Sequence, residues 1–215
     1  MRLVATSDCH GQLAPGTLPP GDLLVLAGDL LADAPDDATD PVGWQAERLR
    51  ELDALLADLP YRLTLLVAGN HDGVLQARPE LGRALRGARY LADEPCEVEG
   101  LRFYGSPWQP GLAHHPFFLP DGAPAHARYR TIPPGLDVLI THTPPWGVLD
   151  VWDPPARLGS RMLMARVVAA RPRVHVFGHV HPSYGRCARD GTRFHNVAMC
   201  DGEGAPVNPP QVIDL

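Results

Sequence analysis

The stretch Arg62-Leu63-Thr64-Leu65-Leu66-Val67-Ala68-Gly69-Asn70-His71-Asp72 sets the reading of the whole chain. Arg62 to Ala68 is short and nearly continuously apolar, as expected of a strand buried on both faces. It stops at a glycine, and the next three residues offer an amide oxygen, an imidazole and a carboxylate. The same construction occurs four more times. Arg2 to Thr6 runs into Ser7-Asp8-Cys9-His10-Gly11, and Asp22 to Ala27 into Gly28-Asp29. Leu136 to Thr141 runs into His142, and Arg173 to Phe177 into Gly178-His179-Val180-His181. Each strand delivers metal-capable side chains just past its carboxyl end, the place where α/β sheets bind ligands. A single Asp or His there is ordinary turn chemistry or a satisfied core group. Five strand ends of one kind mark a site.

Helical patterns separate these runs. Val42 to Leu59 places Trp44, Leu49, Leu52, Leu55, Leu56 and Leu59 roughly on one side, and Pro79 to Arg86 is a shorter helix. Ser160 to Ala170 is a third, with Ser160 as its N-cap and Pro172 just past its stop. Glu97-Val98 and Leu101 to Tyr104 read as a hairpin around Gly100, and Arg193 to Ala198 and Gln211 to Asp214 as further strands. Gly105 to Pro134 is a long Pro- and aromatic-containing segment without periodicity, a length that is usually functional or disordered. With no repeat, charge block or linker, residues 1–215 read as one domain of layered α/β architecture.

The bulk numbers narrow the function classes. The 215 residues carry 45% apolar and 20% charged residues, ordinary for a globular protein. A net charge of −6, with every basic residue an Arg, does not attract nucleic acid or an anionic membrane. A nuclease would want a basic groove. The cysteines Cys9, Cys96, Cys187 and Cys200 form no CxxC pair and read as free thiols. MRLVATSDCH lacks a basic n-region, and no run approaches transmembrane length, so the expectation is a cytoplasmic enzyme without a membrane partner.

Imidazoles, carboxylates and an amide oxygen suit two adjacent divalent ions, with Mn most favoured and Fe or Zn also compatible. Alternate residues such as Asp8 and His10, or His179 and His181, can point the same way from an extended segment. Asp29 is the best candidate to bridge both ions, as in two-metal sites that clamp the attacking and leaving oxygens of a phosphoryl displacement.

In order and spacing, D-x-H, G-D, G-N-H-D, an isolated His after a strand, and G-H-x-H resemble the calcineurin-like metallophosphoesterase superfamily across residues 8 to 181. Tyr104 to Trp108, Thr141 to Gly147 and His175 to His181 further resemble a small single-domain branch. Its vertebrate members are described as metallophosphodiesterases acting on cyclic nucleotides. The resemblance implies two packed mixed β-sheets flanked by helices, with a dinuclear site at strand carboxyl ends. It implies one metal on Asp8, His10, Asp29 and His181, and a second on Asp29, Asn70, His142 and His179. It gives His71 a non-ligand catalytic role near the leaving group, protonating or hydrogen-bonding the leaving oxygen. The expected reaction is in-line attack on a small phosphodiester, such as a cyclic nucleotide, by a hydroxide bridging the metals. The alternatives are a phosphomonoesterase or protein phosphatase, and a non-catalytic protein-binding scaffold on the same fold. The intact ligand set argues against the scaffold. Oligomeric state is not readable.

Other residues are weighed individually. Cys9 should point away from its ligand neighbours. Trp108, Phe117, Phe118 and Trp146 serve either a substrate pocket or the core, and Trp108, with Asn70 and His71, is carried as a substrate-contact candidate. His114 and His115 read as loop surface, and His175 as core or a partner of a ligand. Arg161 reads as solvated helix face. Asn196 is a weak candidate for supporting the site.

Overall fold

The computed structural model describes residues 1–111 and 113–215. In chain order the elements are β1 (Arg2–Thr6), β2 (Leu23–Ala27), α1 (Pro41–Ala57), β3 (Leu63–Val67), α2 (Gly73–Ala77), α3 (Pro79–Arg83), β4 (Arg89–Tyr90), β5 (Glu94–Val98) and β6 (Leu101–Ser106). Then come α4 (Ala123–Tyr129), β7 (Val138–Thr141), β8 (Val151–Asp153), β9 (Ala156–Arg157), α5 (Arg161–Ala170), β10 (Val174–Phe177), β11 (Gly185–Arg189), β12 (Thr192–Asn196) and β13 (Gln211–Asp214). Two mixed sheets result, ordered β13-β1-β2-β3-β4 and β11-β12-β10-β7-β6-β5, with β8 and β9 as a separate ribbon.

All five apolar runs are strands, and their alternation explains the layers. Leu3, Ala5, Val25, Ala27, Leu65 and Val67 face inward, meeting Phe103, Val138, Ile140, Val174 and Val176 of the second sheet. The intervening Val4, Leu24, Leu26 and Leu66 face outward and are covered by Ala46, Leu49 and Leu56 of α1. On the far side, Tyr104, Leu139, Phe177 and Phe194 are covered by α4 and α5 through Ala125, Tyr129, Leu163 and Val167. Both faces of each central strand are therefore apolar, which is why the runs are continuous. The stack is helix, sheet, sheet, helix.

The five strand ends thus belong to two sheets rather than one. β1, β2 and β3 run parallel in the first, β7 and β10 parallel in the second. The sheets are tied at the site end by Ser7, whose N–H donates to Val197 O (3.0 Å) and whose carbonyl accepts from Met199 N (2.8 Å).

Element boundaries move for identifiable reasons. Asp40 caps α1 by accepting from Gly43 N at 2.8 Å, and α1 ends at Ala57 where the chain tightens ahead of Pro60. α3 stops at Arg83, short of Arg86, because the N–H groups of Arg86 and Gly87 are both taken by Asp53 Oδ1 on α1. Ser160 caps α5 as expected, accepting from Leu163 N at 3.0 Å. The aperiodic Gly105 to Pro134 segment contains the seven-residue α4. The four cysteines are free, with only Cys187 exposed.

Candidate metal centre

The residues flagged at the strand ends converge into two donor groups, Asp8 with His10 and His181, and Asp29 with His142 and His179. Within each group the nearest donor atoms lie within 4.8 Å of one another. Asn70 joins the second group, with Oδ1 2.9 Å from His142 Nε2. His142 Nε2 also lies 3.2 Å from Asp29 Oδ2, and His181 Nε2 lies 3.2 Å from Asp8 Oδ1.

The backbone delivering these groups is not extended. Asp8, His10, Asp29 and His179 have φ of 52°, 45°, 51° and 68°, the left-handed region that non-glycine residues rarely adopt. Residue alternation therefore does not govern the site. His179 and His181 diverge into different donor groups, and Asp8 and His10 converge through a kink. Such strain persists only where surrounding structure over-determines it. His179 N–H donates to both Asp8 oxygens at 3.0 Å, and Gly178 leaves no room beside them for a Cβ, which would sit 2.0 Å from Asp8 Oδ2. Asp72, fully buried, accepts from Leu30 N, Leu31 N and Gly69 N at 2.8–3.0 Å, locking the loop after β2 to the loop after β3. Burial, then the charge of Asp29, push its carboxyl up to about 7. Asn196 donates to Val180 O at 2.9 Å, pinning the turn between the two terminal histidines.

Proton inventory fits metal coordination. His142 Nδ1 lies 3.0 Å from Ala27 O and His181 Nδ1 lies 2.7 Å from Asp201 O. A carbonyl only accepts, so both Nδ1 atoms carry protons and both Nε2 atoms face the carboxylates, the arrangement by which backbone carbonyls orient metal-binding imidazoles. His10 Nε2 is buried with no partner. An orphaned buried nitrogen among convergent carboxylates is costly unless a cation fills the gap. Burial would raise the Asp29 carboxyl, but the charge and hydrogen bond of His142 outweigh it and hold it well below the usual carboxylate range. Burial pushes His179 down to about 3, whereas at His142 burial is outweighed by the charges of Asp29 and Asp8, which lift it to about 9, so a metal bound there would have to displace the His142 Nε2 proton.

His71 diverges from its neighbour. Asn70 is buried, whereas His71 is half-buried, lining an open groove of about 550 Å³. His71 N–H donates to Asp29 Oδ1 at 2.8 Å, and its Nδ1 sits 2.8 Å from both oxygens of Asp33. Burial alone lowers the His71 pKa, but the Asp33 hydrogen bond and the charges of Asp29 and Asp33 lift it to about 9. Its ring packs edge-on to His10 at 4.9 Å between centroids.

The remaining sequence candidates spread out. Cys9 turns away to pack with Met199 and Cys200, as expected. Trp108 donates from Nε1 to Asp93 at 2.6 Å, lies under Arg128, and packs edge-on to buried Phe117. Trp146 is stacked beneath Arg161. His175 is fully buried, bonded to Thr141. From the long segment His115, read from sequence as loop surface, reaches the donor groups, with Nδ1 3.3 Å from Asn70 Nδ2. Asp33 was not flagged at all. No local signal marks either: each is an ordinary loop residue brought in by the fold.

Residues 1–183 match the family described as calcineurin-like phosphoesterase. The chain is 36% identical over 241 residues to metallophosphoesterase domain-containing protein 1 of Homo sapiens, and equally to that of Mus musculus, covering 100% of this chain and 71% of each relative. Among solved structures, one superposes with a TM-score of 0.70 at 18% identity over 91% of this chain and 89% of its own. Phosphopantetheinyl hydrolase from Mycobacterium tuberculosis superposes with a TM-score of 0.54 at 17% identity, covering 94% and 90%. At these identities the structural likeness concerns the fold.

Proposed function

Because the chain belongs to the calcineurin-like phosphoesterase family, whose chemistry is metal-dependent phosphoester hydrolysis, we propose that it hydrolyses a small phosphodiester such as a cyclic nucleotide. The observation that carries this reading is the pair of convergent donor groups, one holding the unpartnered His10 Nε2, beside an imidazole held off them by Asp33.

Asp8, His10 and His181, together with Asp29, would hold one divalent ion, and Asp29, Asn70, His142 and His179 would hold the other. The donor chemistry suits Mn first, and Fe or Zn. Bound there, the two ions supply Lewis acidity toward water and phosphoryl oxygens. The protein's own contribution is positioning. Ala27 O and Asp201 O keep the Nδ1 protons of His142 and His181 in place. His115 accepts from Asn70 Nδ2, which turns Oδ1 toward His142 and the donor group. His71 acts at the leaving group: Asp33 takes its Nδ1–H, so Nε2 is the nitrogen left to donate a proton to a departing oxygen.

Charge favours a diester over a monoester. The groove beside His71 is lined by Asp33, Asp36, Gln45, Asn70 and His115, with no Arg among the described lining residues. The two ions would face the phosphoryl group itself, so the groove acts on the leaving group, where carboxylates without a guanidinium disfavour a charged one. A singly charged diester with an uncharged leaving group is penalised less. Among the described residues no helix is long and apolar enough to cross a membrane.

The test is turnover by the Mn-, Fe- and Zn-loaded protein on bis(4-nitrophenyl) phosphate, 4-nitrophenyl phosphate and cyclic nucleotides. The proposal expects higher kcat/KM for the aryl diester than for the aryl monoester and measurable cyclic nucleotide opening. A preference for the monoester with every metal overturns it.

A further inference from the structure

On the reading that a phosphoester is held at the two donor groups, we propose that Trp152 is the platform on which a planar aromatic part of that substrate stacks. Trp152 is 40% exposed, the most solvent-open aromatic side chain of its size beside the site. Its ring lies 5.8 Å from that of His181, one of the flagged donors. Single exposed apolar residues are common on protein surfaces and need no explanation. Three observations set this one apart.

The first is its open face. Trp44, Trp108 and Trp146 each carry a guanidinium over the ring, from Arg48, Arg128 and Arg161 at 5.3, 4.4 and 3.7 Å. Among the described residues Trp152 carries none, and no hydrogen bond engages its indole. The second is anchorage. Ser183, in the turn that begins at His181, accepts from Val151 N at 3.0 Å and donates to Val151 O at 2.8 Å. Two bonds thus tie the residue before Trp152 to the turn that carries the donor. The third is the root of the ribbon, where the fully buried Asp150 accepts from Gly147 N and from Arg157. The backbone that carries the ring is therefore fixed relative to the donor groups, so little backbone ordering is needed when a ligand stacks on it. Indole offers a flat π face that nucleobases and aryl esters can cover by stacking, which glycerol-type alcohols cannot.

The probes are adenosine 5′-monophosphate and ribose 5-phosphate, which share a phosphosugar and differ only by the base. Calorimetric titration of each into the Mn-loaded chain should give about tenfold or more tighter binding of the nucleotide, the scale of one base–aromatic stack. In Trp152→Ala the affinity ratio should fall to about one, and Trp152→Phe should restore most of it. A parent ratio near one, a ratio unchanged in Trp152→Ala, or no binding of either ligand overturns the inference. Ribose 5-phosphate binding that is the same with and without Mn, together with absent turnover, instead defeats the underlying reading of the metal centre.

Discussion

Replacing Gly178 by Ala should remove one metal while leaving the fold in place. Gly178 does not have a positive φ, so alanine adds no backbone strain there. The added Cβ, however, would lie 2.0 Å from Asp8 Oδ2 and 2.0 Å from Ser7 Oγ, whereas ordinary contact begins at 3.4 Å. The carboxylate must retreat by about 1.4 Å, or the turn carrying His179 and His181 must move by as much. Metal–ligand distances tolerate only about 0.2 Å, and a misplacement of about 1 Å at a reacting centre costs roughly 10²-fold in rate. Elemental analysis after Mn reconstitution should therefore fall from about two ions per chain to about one, with turnover down by about 10²-fold or more. Gly16→Ala, where a Cβ meets nothing within 4 Å, is the control and should match the parent. A Gly178→Ala protein that melts like the parent, binds two ions and turns over at the parent rate would refute the packing argument.

Three further outcomes follow from the same geometry. His71→Ala should keep both metals but lose about 10²–10⁴ in turnover, more for alkoxide than for nitrophenolate leaving groups; loss of metal on elemental analysis would make His71 a ligand instead. Burial holds the His175 pKa at about 3, below its ordinary 6.5, so between those values the unfolded chain binds the extra proton and stability is lost as pH falls. Denaturant titrations in chelator should show the parent losing about 2.5 kcal/mol more than His175→Gln between pH 7 and pH 4.5, and parallel pH profiles would show that His175 charges freely in the fold. Trp108→Ala removes the Asp93 bond and the contact with Phe117, and should lower stability by about 3–5 kcal/mol with metal content intact; a change in KM alone, at parental melting temperature, would return Trp108 to the substrate.

The central strands were legible because burial on both faces writes itself into composition, and the strand ends because Asp, Asn and His after such runs have little packing use. Less of the site was legible than the ligand list implies. Asp and His adopt left-handed turns more readily than most residues, but that tendency does not say which of them will, so alternation assigned directions that the backbone does not take. The division of five strands between two sheets depends on which inner faces interlock, Val25 and Val67 against Ile140 and Val176, and neither run contains that choice. β11 is exposed along most of its length and β4 has two residues, so neither offers a period to read. α4 hid in a Pro-rich stretch. Asp33 and His115 act through side-chain bonds to residues 38 and 45 positions away, a separation at which sequence carries no pairing signal.

The central claim is that two donor groups share Asp29. Its most direct test is metal content of the Mn-reconstituted chain, parent against Asp29→Ala, by elemental analysis. The account predicts about two ions per parent chain, the number a two-metal site requires, and loss of both together in the variant. A parent stoichiometry of one or none, or a variant that keeps one ion at parental affinity, would contradict it.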